Sequence, residues 1–318
     1  MESYSYRVAG GRSSAIPLGE AMAERCDLVW VHLPQIDEDT TRWLHEAAGL
    51  DDYVVDALTA AETRPRCEQV GEGAIVNLRG RWHEELDSSD MLASVRIWGS
   101  KGRVFSVTRN PLFAVAAVKA EVEAGHVLDP GDLIAAFAVA ITADLDPEVA
   151  DLGDRLDDCE ETLDQRRIFE MRRVVGRVRR AAIIYRRFLN PQRAALERLA
   201  SLPGDWLADD DRLHLAAAAD RAARMAEELE SIRERSALMQ ETLTDLRAEQ
   251  INARALVISV AAMVFLPLTF LTGLYGMNVE GLPFAREPWA FAAISGVCVA
   301  VGVGVVAYFA RARWFGGS

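Results

Sequence analysis

The sequence is poor in the residues that build preformed catalytic and metal centres. Its four cysteines, Cys26, Cys67, Cys159 and Cys298, share no paired spacing, and its five histidines stand apart from one another. A zinc cage of the usual Cys/His spacing is thereby excluded, and scattered thiols suit a reducing compartment. His32 and His45, alone in a strand and a helix, are expected to be structural. No GxxxxGK[ST] loop occurs, which argues against ATP-driven pumping, and no nucleophile–base pair supports an enzyme. No bound cofactor is expected either. The start, MESYSYRVAGG, has no apolar run behind a basic cluster, so no signal peptide is expected.

Positive charge is also in deficit: 35 Lys and Arg face 48 Asp and Glu, a net charge of −13. Such a surface repels nucleic acid and concentrates cations. Nine arginines do crowd residues 166–187, but only Phe169 and Tyr185 are interleaved with them. They are expected to pair with acidic neighbours, not with nucleic acid.

Charge is wholly missing from residues 255–275, ALVISVAAMVFLPLTFLTGLY. As a helix this stretch rises about 31 Å, the thickness of a bilayer core. A second apolar run, 289–310, follows a short loop. Arg247 and Arg254 precede the first run, Arg311 and Arg313 follow the second, and Trp289, Tyr308 and Trp314 stand where interfacial aromatics anchor a span. The loop between holds one Arg against Glu280 and Glu287. The positive-inside bias places both termini in the cytoplasm and the loop outside.

The chain ahead of these spans divides in two. Residues 27–33 read as a buried strand, Asp37 opens a helix to Ala48, and residues 51–61 form another. Strand-like runs cover 73–78, 92–98 and 103–108, the last two joined as a hairpin over 100–102. Residues 111–125 and 130–144 are helical by periodicity, while residues 1–25 give no assignment. This predicts a mixed α+β domain over 1–145 with a largely antiparallel sheet. From 146 to 253 the pattern is helical throughout. One helix covers 147–189, with Leu152, Leu156, Cys159 and Leu163 at helical spacing, and Asn190-Pro191 kinks it before it resumes to Leu202. A second starts at Asp209-Asp210-Asp211 and meets no Pro or Gly until Pro267. The first membrane span (domain 254–318, loop 276–288) is thus the end of a long stalk.

The stalk shows two faces. Met225, Leu229, Ile232, Ser236, Met239, Leu243 and Leu246 form a seam for a partner, most simply an antiparallel helix over 147–202. Glu227, Glu234, Leu238, Glu241, Asp245, Ala248 and Asn252 lie on another face. It continues into the span as Ser259, Ala262, Leu266, Thr269, Gly273 and Gly276. This membrane stripe is small or hydroxylated except at Leu266, and bulky residues such as Val257, Val264 and Phe270 occupy the other faces. Two readings remain open. Small residues let helix backbones meet in a dimer seam, as in a membrane-tethered coiled-coil sensor or scaffold. Alternatively, several copies line a pore with backbone and hydroxyl oxygens, Leu266 forming an apolar constriction. In the second reading Glu227, Glu234, Glu241 and Asp245 form carboxylate rings that draw divalent cations, Glu234, Glu241 and Asp245 being the candidate metal residues.

Tyr275-Gly276-Met277-Asn278, eight residues after Pro267-Leu268-Thr269-Phe270 and followed by a short loop and a last span, resembles the CorA family of divalent-cation transport proteins. The resemblance covers the whole chain. Trp30-Val31-His32-Leu33, Glu62-Thr63-Arg64-Pro65-Arg66, Asn77-Leu78-Arg79-Gly80 and Val279-Glu280-Gly281-Leu282-Pro283 look like its ZntB branch, associated with zinc. The resemblance implies a funnel-shaped homopentamer in a bacterial inner membrane, with an α/β/α cytoplasmic domain and the first span lining the pore. Gly276, Met277 and Asn278 would form the entrance, Asn278 holding a hydrated cation, and Asn252, Leu266 and Thr269 fall at pore-lining positions. Zn2+ is the implied cargo, with Mg2+, Co2+ and Ni2+ as runners-up. Glu280, where the zinc branch commonly has glycine, is nearer in character to the magnesium/cobalt branch.

Overall fold

In the computed structural model the described residues are 3–61, 64–82, 92–163, 166–277, 283–284 and 287–311. The chain divides into two compact units, Met1–Gln240 and Glu241–Ser318.

The first unit is built on a seven-stranded sheet of order β2-β1-β3-β7-β6-β5-β4. The strands are β1 (Tyr4–Ala9), β2 (Arg12–Ile16), β3 (Leu28–Leu33), β4 (Arg66–Val70), β5 (Gly73–Arg81), β6 (Leu92–Ser100) and β7 (Arg103–Thr108). All pairs are antiparallel except β3 with β7. β1 and β2 form a hairpin that the sequence reading left unassigned. Its turn is Gly10-Gly11, both at positive φ (57° and 74°), the conformation that a two-residue hairpin turn requires.

Helices cover both faces of this sheet. On one, Val29, Val31, Leu33, Ile75, Phe105 and Val107 pack against α1 (Glu38–Glu46) and α2 (Asp52–Thr59), around buried Leu44, Val55 and Leu58. Asp37 caps α1, its Oδ1 accepting from the Thr40 N–H at 2.7 Å. On the other face lie α3 (Phe113–Glu123) and α4 (Pro130–Glu161). There Trp30 meets Phe137 edge-on, with ring centroids 5.8 Å apart. The approach is close enough that a Cβ on Gly99 would sit 2.6 Å from Ile134 Cδ1. An α/β/α sandwich results.

The long helices depart from the sequence reading. The pattern predicts a helix over 130–144 and a second from Pro147 to Leu189. Instead α4 runs unbroken through Pro147 to Glu161, and α5 (Ile168–Ala200) starts afresh and passes through Pro191. Buried Phe137, Ile141, Leu145, Val149, Leu152 and Leu156 form one continuous row across Pro147. That packing outweighs the roughly 3 kcal/mol an interior proline costs a helix. Leu163, predicted on the same row, lies past the helix end and is exposed.

α6 (Asp209–Gly276) is a single 68-residue helix, as predicted, and includes Pro267. Its seam is buried at Met225, Leu229, Ile232, Ser236, Met239 and Leu243, and half-buried at Leu246. The partner is not one helix but two. Arg186 and Arg179 of α5 reach Glu230 at 2.9 Å and Gln240 at 2.8 Å, so α5 is antiparallel to α6. Arg235 of α6 binds Asp157 and Glu160 of α4, which runs alongside in the same sense. Two of the crowded arginines thus meet acidic or amide groups on the stalk helix, while Arg167 pairs with Glu170 on its own helix.

In the second unit, residues 241–276 of α6 are followed by α7 (Ala290–Arg311). Both helices are long and apolar enough to cross a membrane.

Candidate functional site

Asn252, Ser259, Ala262, Leu266, Thr269, Gly273 and Gly276 are all exposed on α6. With about 100° per residue they occupy an arc of roughly 120°. The buried and half-buried positions of this segment are Leu256, Val260, Val264, Pro267, Leu268, Leu271, Leu274 and Tyr275. They centre roughly 160° away on the same helical wheel. At one end this second face turns to α7: Leu271 and Tyr275 line an apolar cavity of about 220 Å3 with Trp289, Ala293 and Val297. Leu271 and Tyr275 thus turn toward the second span, while the small, polar stripe is exposed along its length, as are the bulky Val257, Ile258, Phe265 and Phe270 on other faces.

The stripe's chemistry is that of oxygen acceptors. Thr269 Oγ1 donates to the Phe265 carbonyl at 2.7 Å. Its hydrogen is thereby committed to the helix, and the oxygen lone pairs face outward. A Cβ on Gly273 or Gly276 would meet no atom within 4 Å, so backbone is open there. Leu266, 70% exposed, is the bulky apolar interruption. Met277 follows the last turn and is exposed, while Asn278 and Glu280 lie outside the described residues.

The candidate carboxylates do not converge within one chain. Glu234, Glu241 and Asp245 are exposed, and Arg233 approaches Glu234 to 3.9 Å. Seven residues separate Glu234 from Glu241, about 10 Å along the axis. Among the described residues the only cluster of three potential metal-binding groups is Asp129, Asp132 and Asp211, whose ligand atoms lie within 4.8 Å of one another. The sequence reading placed Asp211 at a helix start but could not bring it to the start of α4. Asp129 Oδ1 accepts from the Asp132 N–H (3.0 Å), and Asp211 Oδ2 from the Ala208 N–H (2.7 Å), so these groups serve as helix caps. Burial, then the neighbouring Asp129 and Asp132, raise the Asp211 carboxyl well above the usual range.

His32 behaves as a core residue. It is fully buried, its Nδ1 2.8 Å from Ser106 Oγ. Burial pushes its pKa down to about 3, so it is neutral at physiological pH.

Comparison with known proteins gives a consistent result. The sequence profile described as CorA-like Mg2+ transporter protein matches residues 26–311. The zinc transport protein ZntB of Pectobacterium atrosepticum is 30% identical over 306 residues, 96% of this chain and 93% of that one. ZntB of Yersinia enterocolitica is 30% identical over 315 residues, 98% and 95% of the two chains. Among solved structures, full-length CmaX superposes with a TM-score of 0.78 at 28% identity, covering 99% and 98%. The CorA magnesium transporter of Methanocaldococcus jannaschii gives 0.81 at 17% identity, covering 99% of both chains, a likeness of fold.

Proposed function

The chain belongs to the CorA-like Mg2+ transporter family, and from that premise we propose that it carries divalent cations, zinc foremost, across a membrane. The path is lined by one face of α6 contributed by several copies. The observation that carries this is the exposed stripe Asn252, Ser259, Ala262, Leu266, Thr269, Gly273 and Gly276, small or hydroxylated except at Leu266 and set away from Leu271 and Tyr275, which turn to the second span. Two spans cannot enclose water alone, so the path requires an oligomer, proposed as a pentamer. Arginine flanks favour cytoplasmic termini, and the family resemblance supports a bacterial inner membrane.

Each step follows from the donor set. Asn278 and its symmetry copies, with Gly276 and Met277, form the entrance and hold a hydrated ion through amide oxygens. Carbonyls bared at Gly273 and hydroxyls of Thr269 and Ser259 exchange for part of its water, Ala262 leaves room, and Leu266 forms the apolar gate. Rings of Glu234, Glu241 and Asp245 concentrate cations at the cytoplasmic mouth. Zinc prefers nitrogen and sulfur ligands, which the stripe does not offer, so zinc too passes largely hydrated. The two relatives named above are zinc transport proteins, which supports zinc. The acidic Glu280 favours magnesium or cobalt as the second reading, since a ring that holds a hydration shell suits a metal that dehydrates reluctantly.

The test is Asn278→Ala in proteoliposomes loaded with a zinc indicator. Flux should vanish while the mass in detergent stays that of the wild-type oligomer. Normal flux would remove Asn278 from the path, and a dimeric mass would remove the pore itself.

A further inference from the structure

Five arginines converge on one cavity of about 520 Å3 in the sheet-bearing unit: Arg64, Arg79, Arg96, Arg109 and Arg187. They arrive from five different segments. Arg79 and Arg96 project from β5 and β6, Arg64 from the connection after α2, Arg109 from the end of β7 and Arg187 from α5. Arg64 and Arg79 belong to the Glu62–Arg66 and Asn77–Gly80 motifs, neither of which the ion path uses. Among the described residues no carboxylate lines this cavity.

The guanidinium at its base is the informative one. Arg96 is only 2% exposed, and its Nη2 donates to the Ala60 carbonyl at 2.8 Å. Among the described residues its Nε and Nη1 have no hydrogen-bond partner. Asn77, its cross-strand neighbour, is equally buried, and neither atom of its amide has a partner among the described residues. Burial, then the like charges of Arg109 and Arg79, push Arg96 down to about 10. A buried cation with idle donors among other cations is costly unless an anion completes it. Two of the other arginines are held in place. Arg79 donates Nε to Ser94 Oγ at 3.1 Å and lies 4.2 Å from the centre of the Phe188 ring, with Arg187 5.7 Å from the same ring.

We propose that this cavity binds a small oligophosphate anion, as a ligand site in the soluble unit separate from the ion path. The guanidinium fork matches phosphate oxygens in bidentate fashion, and several forks around one cavity suit two or more linked phosphates better than a single halide. The volume is that of a small-molecule pocket, too confined for a nucleic-acid strand to track through. Phosphate chains of inorganic oligophosphates and of nucleotides share this chemistry. The proposal does not rest on transport, because binding is measured with no metal present.

The experiment is calorimetric titration of the full chain in detergent, with EDTA present so that no metal bridges ligand and protein. The probes are pyrophosphate, tripolyphosphate and ATP, against orthophosphate and chloride. Tripolyphosphate should bind saturably, one per chain, and more tightly than orthophosphate. ATP binding tighter than tripolyphosphate assigns a nucleotide, and equal binding assigns the phosphate chain alone; both uphold the site. Arg96→Gln should abolish binding, but a buried substitution can unfold the sheet. Exposed Arg64→Gln and Arg109→Gln guard against that, and each should weaken binding roughly tenfold. No saturable binding, affinity unchanged in both exposed variants, or displacement of tripolyphosphate by equimolar chloride would overturn the proposal.

Discussion

Across the parallel pairing of β3 with β7, His32 Nδ1 and Ser106 Oγ sit 2.8 Å apart, both residues fully buried. Trp30 Nε1 donates to the same hydroxyl at 2.8 Å, and His32 Nε2 has no partner among the described residues. Among the described residues no carboxylate is paired with this imidazole, and burial holds the folded pKa near 3.

That geometry fixes a pH dependence. In the unfolded chain the imidazole titrates near 6.5. Above that value both states are neutral and His32 contributes no slope. As pH falls from about 6.5 toward 3 only the unfolded state takes the proton, and stability falls by up to about 1.4 kcal/mol per pH unit. Thermal melts of the full chain from pH 7.5 to 4.5 should show this, and His32→Phe should flatten it. Equal slopes in the two proteins would place the acid sensitivity elsewhere.

Asp211 predicts the opposite sign. Its folded pKa is raised by burial and by Asp129 and Asp132, and the nearby Arg212 guanidinium does not offset this, being committed to the carbonyls of Ala200, Leu202 and Gly204. A raised carboxyl gives stability that is complete below the ordinary value of about 4 and is lost as pH rises through the folded value. Asp211→Asn keeps an acceptor for the Ala208 N–H and removes the charge. The variant should be more stable than the parent at pH 8 and no more stable at pH 4. A variant weaker at pH 8 would mean that the cap, not the charge, dominates.

These sites show where sequence reading succeeds and fails. The long apolar runs, the buried strand at 28–33 and the α6 seam were legible because their periodicity is set by one face and one environment. Pro147 misled because the buried row that carries α4 past it, from Phe137 and Ile141 to Leu152 and Leu156, packs against residues far away in sequence. Tyr4, Tyr6 and Val8, alternating ahead of Gly10-Gly11, carried a hairpin signal too short and polar to weigh by itself. Asp129 and Asp211 are 82 positions apart, and the five arginines of the cavity are more widely scattered. No local pattern reports that folding brings such groups together. The α6 stripe was readable for the converse reason, since its members share one helix.

Exposure on a single chain does not separate a water-facing residue from a lipid-facing one, and this gives the last prediction. Leu266 is 70% exposed, yet so, nearly, are Val257, Ile258, Phe265 and Phe270 on other faces of α6. If copies of the stripe surround water, single cysteines at 259, 262, 266 and 269 should react with a charged, membrane-impermeant thiol reagent. Those at 257, 258, 265 and 270 should stay unmodified, because lipid protects them. Reactivity should fall at 269 and 266 when divalent cation occupies the path, and it should differ between the two sides of the Leu266 constriction if that residue is the gate. The reverse pattern, with 257 or 265 labelled and 262 and 269 silent, would mean that the small face is sealed against another helix. The stripe would then be a packing seam, and the cation would need another route.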